Sequence, residues 1–264
     1  TILKILYSQI MKKINLVLSV FAILFFAACS DVEPLDPTLL SNSGNNGGNT
    51  GGGSGGGSGS GGGNTGGGSG GGTSSGDYWP TAINNQWTYE QDGTALSPTK
   101  IIGTDVFSGK TYYKFTQTSG GSGTSTATVT TWLNKESGVY KVKIDDINLN
   151  VGGLTGVQTG YEMIMLKDNI PVGGTWSGTY SQTTTYTGIP SIVTNVNYSG
   201  EILEKNVTEV VNGETFPNVI KLKMILESSF SGTTSTQELI YWYSKDVGPI
   251  KTTSPGSNSI LIDY

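Results

Sequence analysis

The stretch 132–144 reads Trp-Leu-Asn-Lys-Glu-Ser-Gly-Val-Tyr-Lys-Val-Lys-Ile and decides the fold class. After its Ser-Gly pair, the apolar residues Tyr140, Val142 and Ile144 alternate with lysines. This period of two places apolar side chains on one face of a β-strand and lysines on the other. A short pair containing glycine is typical of a tight turn between antiparallel strands. We therefore predict strands joined by hairpin turns.

The same alternation recurs later in the chain, where Ile220, Leu222 and Met224 are separated by lysines. Threonine, valine and tyrosine are abundant from residue 77 onward, and Ser-Gly, Asn-Gly and Gly-Gly pairs separate the strands. No stretch of useful length has a helical pattern. We predict that 77–264 is an all-β domain, folded as one curved antiparallel sheet.

An internal repeat is visible within this domain. Three blocks match three later blocks in the same order and without gaps: 83–87 with 172–176, 104–112 with 208–216, and 132–141 with 242–251. The matches predict two similar meanders, at about 77–150 and 161–264, with four or five strands each.

Turns are predicted at equivalent places of the two halves. Asn84 and Gly173 are suited to a left-handed conformation just before a tryptophan-containing strand. Further turns are expected at 108–109 with 212–213, as two-residue hairpin turns, and at 136–138 with 246–248.

The N-terminal region has the pattern of a signal peptide. Met11 is followed by two lysines and an apolar run that is shorter than the roughly 20 residues of a spanning helix. The run ends in Phe-Ala-Ala-Cys at 26–29, which resembles a lipobox. We predict a signal peptide over 1–28, with 1–10 upstream of the start at Met11, cleavage between Ala28 and Cys29, and lipid on Cys29. The alternative is an ordinary secretory signal or membrane anchor followed by a chance cysteine.

Two polar segments follow the cysteine. The acidic segment 29–40 contains Ser30, Asp31 and Glu33, which resemble the export tag of surface lipoproteins in Bacteroidetes; the alternative is a solvated tether. Residues 41–76 are almost entirely Gly, Ser, Asn and Thr and cannot bury apolar surface, so we predict a disordered linker. Its root-mean-square span would be about 33 Å. The predicted location is the outer membrane, with the domain on the cell surface.

Two motifs resemble a known family. Residues 78–89, Tyr-Trp-Pro-Thr-Ala-Ile-Asn-Asn-Gln-Trp-Thr-Tyr, resemble the opening of many Bacteroidetes lipoproteins of unknown function, and 241–251 resemble the Gly-Val-Gly-x-Val-Lys strand pair with which they end. These lipoproteins are similar to the open half-barrels of lipoprotein carriers such as LolA. The resemblance implies an open half-barrel with a concave apolar face.

Composition excludes several classes of function. The chain of 264 residues has a net charge of −5, no histidine and 15 basic residues that are all lysine. Without arginine and with acidic balance, nucleic-acid binding is disfavoured. Without histidine, the common catalytic triads and zinc sites cannot form. Cys29 is the only cysteine, so no internal disulfide is expected. We predict no cofactor and no metal site.

Tryptophans are the first candidates for a binding surface. Trp87, Trp132, Trp176 and Trp242 occupy equivalent repeat positions, where they could form a stacking platform or, as their repetition favours, anchor the core of each half. Trp79 has no repeat partner and lies at the start of the domain. We predict it as an exposed contact.

Acidic residues are the second candidates, because glycoside hydrolysis needs only two convergent carboxylates. Asp145 and Asp146 are adjacent and would point to opposite faces of a strand. A second group contains Glu201, Glu204 and Glu209. Segment 146–150 has oxygen-bearing side chains at alternate positions, like the start of a calcium loop, but lacks its glycine and glutamate. We interpret all of these as surface charge and predict no catalytic residue.

Three functions remain. We expect a non-catalytic binding module for a lipid, a glycan or an envelope protein, because the long linker would give it reach. The alternative is a structural component of envelope assembly, and a carboxylate-based glycosidase is the least favoured. The domain is expected to be a monomer that meets the membrane only through lipid on Cys29, with an unknown ligand or partner.

Overall fold

The computed structural model describes residues 73–122, 125–151 and 153–264. This part of the chain contains seventeen β-strands and no helix, and its strands form a single antiparallel sheet, so the predicted fold class is confirmed. The strands are β1 Gln86–Gln91, β2 Thr94–Ala95, β3 Thr99–Phe107, β4 Lys110–Phe115, β5 Thr118–Ser122, β6 Ser125–Val129, β7 Thr131–Glu136, β8 Val139–Ile144, β9 Ile147–Val151, β10 Leu154–Gln158, β11 Tyr161–Lys167, β12 Thr175–Tyr186, β13 Ile189–Val211, β14 Glu214–Phe230, β15 Thr233–Ser244, β16 Gly248–Ser254 and β17 Ser257–Asp263.

The sheet is built mostly from hairpins between chain neighbours. From β12 to β17 each strand pairs with the next one along the chain. In the preceding part, β8–β9 and β10–β11 form one long bent hairpin, with pairing from β8 to β11 and from β9 to β10. β4–β5 and β6–β7 form a second one. The last strand, β17, pairs with the first, β1.

The sheet is not closed into a barrel. β12 pairs with β10 over three residue pairs. Beside β11, the backbone of Ile164 bonds to side chains instead: its carbonyl accepts the Trp176 Nε1 proton at 3.1 Å, and its amide donates to Tyr198 Oη at 3.2 Å. These two aromatic side chains fill the space between β11 and β12.

One core lies against the inner face of the sheet. The alternating residues predicted from the sequence are its centre: Tyr140, Ile220, Leu222 and Met224 are fully buried, and Val142 is 1% exposed. The core is a single cluster whose members come from strands along the whole chain. The sheet therefore curves around this cluster, which excludes apolar surface from water on one face only.

The predicted turns are confirmed. Asn84 and Gly173 have φ of 75° and 78°. The Ser108-Gly109 and Asn212-Gly213 pairs have positive φ at both residues, as two-residue hairpin turns that follow the sheet twist require.

The turns at Asn84 and Gly173 have the same hydrogen bonds. In the first turn, the backbone amide of Asn84 donates to the Ile101 carbonyl, and the Ile101 amide donates to the Asn85 carbonyl. In the second, the Gly173 amide donates to the Ile202 carbonyl, and the Ile202 amide donates to the Gly174 carbonyl. The prediction of four or five strands for each meander was wrong: nine strands, β1–β9, lie in the first predicted half and seven, β11–β17, in the second.

Three cross-strand pairs combine a glycine with an aromatic ring: Gly200 with Trp176, Gly178 with Tyr198 and Gly156 with Tyr186. A Cβ atom on each glycine would overlap its partner's side chain. These glycines let the large rings lie flat over the neighbouring strand.

Candidate functional site

A groove crosses four strands on the outer face of the sheet, near the ends of β5, β9 and β12. It has a volume of about 580 Å³. Two rows of side chains line it. The first contains the cross-strand neighbours Thr128, Asn148, Val157 and Thr185, and the second contains Thr126, Asn150 and Thr155, followed by Thr187 just after β12. Leu149, Gly156 and Tyr186 lie between these residues along the strands and complete the lining.

The sequence places these side chains outward by simple alternation. In β9, Ile147 and Leu149 are buried in the core, so Asn148 and Asn150 point to the other face. The irregularity at Asp145-Asp146, between β8 and β9, keeps the lysines of β8 and the asparagines of β9 on the same outer face. The groove and the lysine-rich surface are therefore two regions of one face.

The groove offers neutral hydrogen-bonding groups. Asn148 is exposed, and its side-chain amide makes no hydrogen bond to the described residues, so this group can both donate to and accept from a ligand. The hydroxyls of Thr128 and Thr185 have hydroxyl neighbours, Ser119 at 3.4 Å and Ser191 at 3.2 Å. Val157, 42% exposed, adds an apolar contact between them. A concave site with a few placed polar groups is the usual form of a small-ligand site.

Trp79 is more enclosed than the sequence predicted. Its indole is half-buried, with ring centroids 5.8 Å from Phe115 and 5.7 Å from Tyr243. Its Nε1 is buried and has no hydrogen-bond partner in the described residues. The predicted exposed contact is instead part of the packing at the start of the domain.

The four repeated tryptophans divide into two pairs. Trp87 and Trp176 lie in the core, where their Nε1 atoms donate to the carbonyls of Val247 and Ile164. Trp132 and Trp242 lie on the lysine-bearing face, because each pairs across the strands with lysines.

The surroundings of Trp132 and Trp242 are alike. The Trp132 ring has the Lys114 ammonium 5.2 Å from its centroid, and the Trp242 ring has Lys221 at 5.4 Å and Lys251 at 4.6 Å. Both rings are less than 10% exposed, so the lysine stems and cation–π contacts cover them. They are not an open stacking platform.

The acidic residues are held by lysines. Glu201, Glu204 and Glu209 form ion pairs with Lys223, Lys221 and Lys251 at 2.9, 3.0 and 2.9 Å. Each acid has its own partner, and we find no group of three metal-binding side chains among the described residues.

Asp145 and Asp146 do not act together. Asp145 binds Lys143 and accepts the Trp132 Nε1 proton, whereas Asp146 accepts the Gly160 amide. Residues 147–150 lie in strand β9, and Asn150 accepts the Gly153 amide, so 146–150 is not folded as a calcium loop.

One outer carboxylate lies in a partly buried cluster. Burial would raise the pKa of Glu162, but hydrogen bonds from Tyr112 and Lys141 outweigh it and lower that pKa. Burial and the bond to Glu162 raise the pKa of Tyr112. Glu162 is therefore ionised near neutral pH and acts as a hydrogen-bond acceptor here, not as a catalytic acid.

A buried carboxylate that the sequence did not indicate fixes the start of the domain. Asp168 is 0% exposed and accepts hydrogen bonds from Ser74 Oγ at 2.8 Å, the Ser75 amide at 3.0 Å and Tyr140 Oη at 3.1 Å. Ser74 and Ser75, which lie inside the predicted linker, thus contact the sheet. We call residues 74–79 the strap.

The strap joins distant parts of the sheet. Lys135 forms an ion pair with Asp77 at 2.7 Å, the Asp246 amide donates to the Asp77 carbonyl, and Tyr78 is 1% exposed. The strap lies beside the turns that follow β7, β11 and β15. The groove lies at the other end of the long hairpin β8–β11, whose thirteen-residue arm 139–151 corresponds to about 40 Å of strand.

The predicted lipidation site Cys29, the cleavage site at Ala28 and the export tag at Ser30, Asp31 and Glu33 lie outside the described residues. In the described part of the chain, no helix is long and apolar enough to cross a membrane.

Comparison with known proteins gives matches to solved structures, among them one from Parabacteroides distasonis and one from Bacteroides fragilis. Neither a family model nor a curated protein matches the chain. A protein of Parabacteroides distasonis, provisionally described as a lipoprotein, is 11% identical with a TM-score of 0.46. A provisionally described exported protein of Bacteroides fragilis with a YmcC-like fold is 11% identical with a TM-score of 0.38. Both alignments cover 70% of this chain and 97% of the other.

Proposed function

We propose that this chain is an outer-membrane lipoprotein, anchored by lipid on Cys29, whose β domain is a non-catalytic module that binds its ligand in the groove. Cleavage before Cys29, an export tag at Ser30, Asp31 and Glu33 and display on the cell surface belong to the same proposal. So does membership of the Bacteroidetes lipoproteins with a duplicated, half-barrel-like β domain, which the matching turns at Asn84 and Gly173 support.

The single observation that carries the binding role is the position of the groove. The strap, which continues into the linker, is fixed at one end of the sheet by Asp168. The groove is at the opposite end, beside Asn150 and Thr155. A chain anchored through its N-terminal side would therefore present the groove away from its attachment point.

The state of the acidic groups supports a non-catalytic role. Each glutamate that could have formed a glycosidase pair is in an ion pair: Glu201 and Glu204 with lysines of the neighbouring strand β14, and Glu209 with Lys251 of β16. Hydrolysis by two carboxylates would need both to converge on one bond with one of them protonated. In the described residues, the groove contains no carboxylate at all.

Binding of a lipid inside a half-barrel is not favoured. The inner face of the sheet is covered by its own side chains, including Tyr140, Leu133 and Ile220, which are fully buried. The same observation favours the second candidate, a structural envelope component, because a filled interior gives rigidity without a ligand.

Crosslinking in cells distinguishes the two candidates. We would place a photo-reactive amino acid at Thr155, in the groove, and, in a second variant, at Thr179. Thr179 is exposed on the same face of the sheet but lies outside the groove. Binding in the groove predicts covalent adducts from position 155 that are absent from position 179. Equal labelling at the two positions, or none, would favour the structural role.

Membrane attachment has a separate test. The Cys29→Ala variant should lose acylation and leave the membrane fraction, whereas the conservative Ser30→Ala variant should stay. A Cys29→Ala protein that still sediments with membranes would contradict lipid anchoring.

A further inference from the structure

Charge is distributed very unevenly over the outer face. The ion pairs of this face lie around Trp132, Trp242 and Glu162, toward the strap end of the strands. The described residues that line the groove are threonine, asparagine, valine, leucine, glycine and tyrosine, and none carries a charge. The groove is therefore a neutral polar surface on a face that is otherwise rich in charge.

The neutral lining excludes several ligands on electrostatic grounds. A phosphate or carboxylate ligand needs a cation or an array of backbone N–H groups, and a cationic ligand needs an acid. The side chains that line the groove offer hydroxyl and amide groups, which suit ligands whose own groups are hydroxyls. Vicinal hydroxyls can pair with the Asn148 amide, which donates and accepts at once.

The rows also set the shape of the ligand. The first row has one side chain on each of β6, β9, β10 and β12, and the second has one on each of β6, β9 and β10 and ends at Thr187, just after β12. Neighbouring strands are about 4.8 Å apart, so the rows extend across about 14 Å of sheet. The volume of about 580 Å³ lies within the usual range of ligand sites. An elongated ligand with a repeated hydroxyl pattern fits such parallel rows better than a compact one.

We infer that the groove binds an uncharged polysaccharide strand, which lies across β6, β9, β10 and β12 and hydrogen bonds to Asn148, Thr155 and Thr185. The inference rests on the proposed binding function and names its ligand class. Val157 supplies an apolar contact for the face of a sugar ring in the middle of one row.

The test is affinity electrophoresis and calorimetry of the full mature chain. The probes are four soluble neutral polysaccharides (a β-glucan, a xylan, a galactomannan and a dextran), one polyuronate and one sulfated polysaccharide. We expect at least one neutral probe to bind, with an affinity that changes less than twofold between low and high salt, because no charges are paired. An anionic probe bound by lysines would instead weaken steeply with salt.

Variants assign the binding to the groove. Asn148→Ala should weaken binding of the neutral probe at least tenfold, since buried hydrogen bonds to the ligand are lost. Thr179→Ala, on the same strand as Thr185 but outside the groove, should bind like the unmodified protein. Thermal unfolding of both variants checks that the fold is intact; neither side chain is in the core.

The outcomes separate the ligand class from the binding function. If no neutral probe binds, the polysaccharide inference is overturned, and crosslinks from position 155 would still support a groove ligand of another class. If a neutral probe binds equally to Asn148→Ala and to Thr179→Ala, the groove is not its site and the inference is also overturned. If position 155 gives no crosslinks either, the binding function itself fails.

Discussion

Buried tyrosines make the domain sensitive to alkaline pH, and the size of the effect follows from the structure. Tyr78, Tyr140, Tyr241 and Tyr243 are 1%, 0%, 4% and 1% exposed, and burial raises the pKa of each. The folded chain keeps these four protons at a pH where the unfolded chain loses them. Stability is therefore complete below about pH 10, the ordinary tyrosine pKa, and decreases above it.

For each proton that the folded chain retains and the unfolded chain has lost, the free energy of unfolding falls by about 1.4 kcal/mol per pH unit. Tyr140, Tyr241 and Tyr243, whose pKa values are raised most, give a slope of about 4 kcal/mol per pH unit, so a domain with about 10 kcal/mol of stability would unfold within about three units above pH 10. The assay follows tyrosinate absorbance and far-ultraviolet circular dichroism together as the pH rises. Urea unfolding at several pH values gives the slope directly.

Tyr243→Phe should reduce the slope by about 1.4 kcal/mol per pH unit, because one ionisation is removed. Tyr264→Phe is the control: this residue is 53% exposed, so its change should be much smaller, while lysine titration is common to both variants. Exposed tyrosines will ionise from about pH 10 in any case. If the absorbance instead rises to its full value for all the tyrosines while the β signal stays intact, the explanation is wrong, because the buried hydroxyls would then be open to water in the folded chain.

Two further predictions concern packing and the strap. Gly200→Ala should destabilise the domain by about 1–3 kcal/mol in urea unfolding, because a Cβ would overlap the Trp176 ring. The control is Gly103→Ala, which should be neutral or stabilising because a Cβ there meets no atom within 4 Å. Equal effects of the two substitutions would contradict the glycine–aromatic pairing. Asp168→Asn should lower the free energy of unfolding by about 1–3 kcal/mol and increase proteolysis near Ser74, because the new side-chain amide cannot accept hydrogen bonds from all three donors. The control is Asp263→Asn, at an exposed position, which should have no such effect. If the strap of Asp168→Asn is not cleaved, the anchoring role is contradicted.

Local chemistry explains which features the sequence predicted well. Alternation at Tyr140 and Val142 is set by the pleat of a strand, and positive φ at Asn84 or Gly213 by the side chain of the residue itself. Neither depends on which strands become neighbours. For this reason the all-β class, the core-facing positions and the turns could be predicted from short stretches alone.

Features that depend on strand register could not be predicted. Trp132 and Leu133 are adjacent and both apolar, and only the pairing of Trp132 with Lys143 and Lys114 shows that the tryptophan is on the outer face. The interruption at Asp145-Asp146, between β8 and β9, reverses the alternation in a way that composition does not reveal. The repeat therefore indicated that equivalent tryptophans have similar surroundings, but not which pair lies in the core and which lies on the outer face.

The groove and the strap depend on contacts over long sequence distances. Thr126 and Thr187 become neighbours of one site only after four strands are in register. Ser74 meets Asp168 across 94 positions of sequence. The linker composition gave no sign that its last residues dock, because serine and glycine are equally typical of flexible chain and of close-packed loops.

The binding of a neutral polysaccharide at the end of the sheet opposite the strap is tested most directly by an NMR titration of the mature chain. The side-chain amide of Asn148 reports on the groove, and the indole N–H groups of Trp132 and Trp242 report on the lysine-rich clusters. We expect saturating amounts of a bound neutral polysaccharide to shift the side-chain amide signal of Asn148 and to leave both indole signals in place. Shifts of the two indoles with an unchanged Asn148 amide would contradict it.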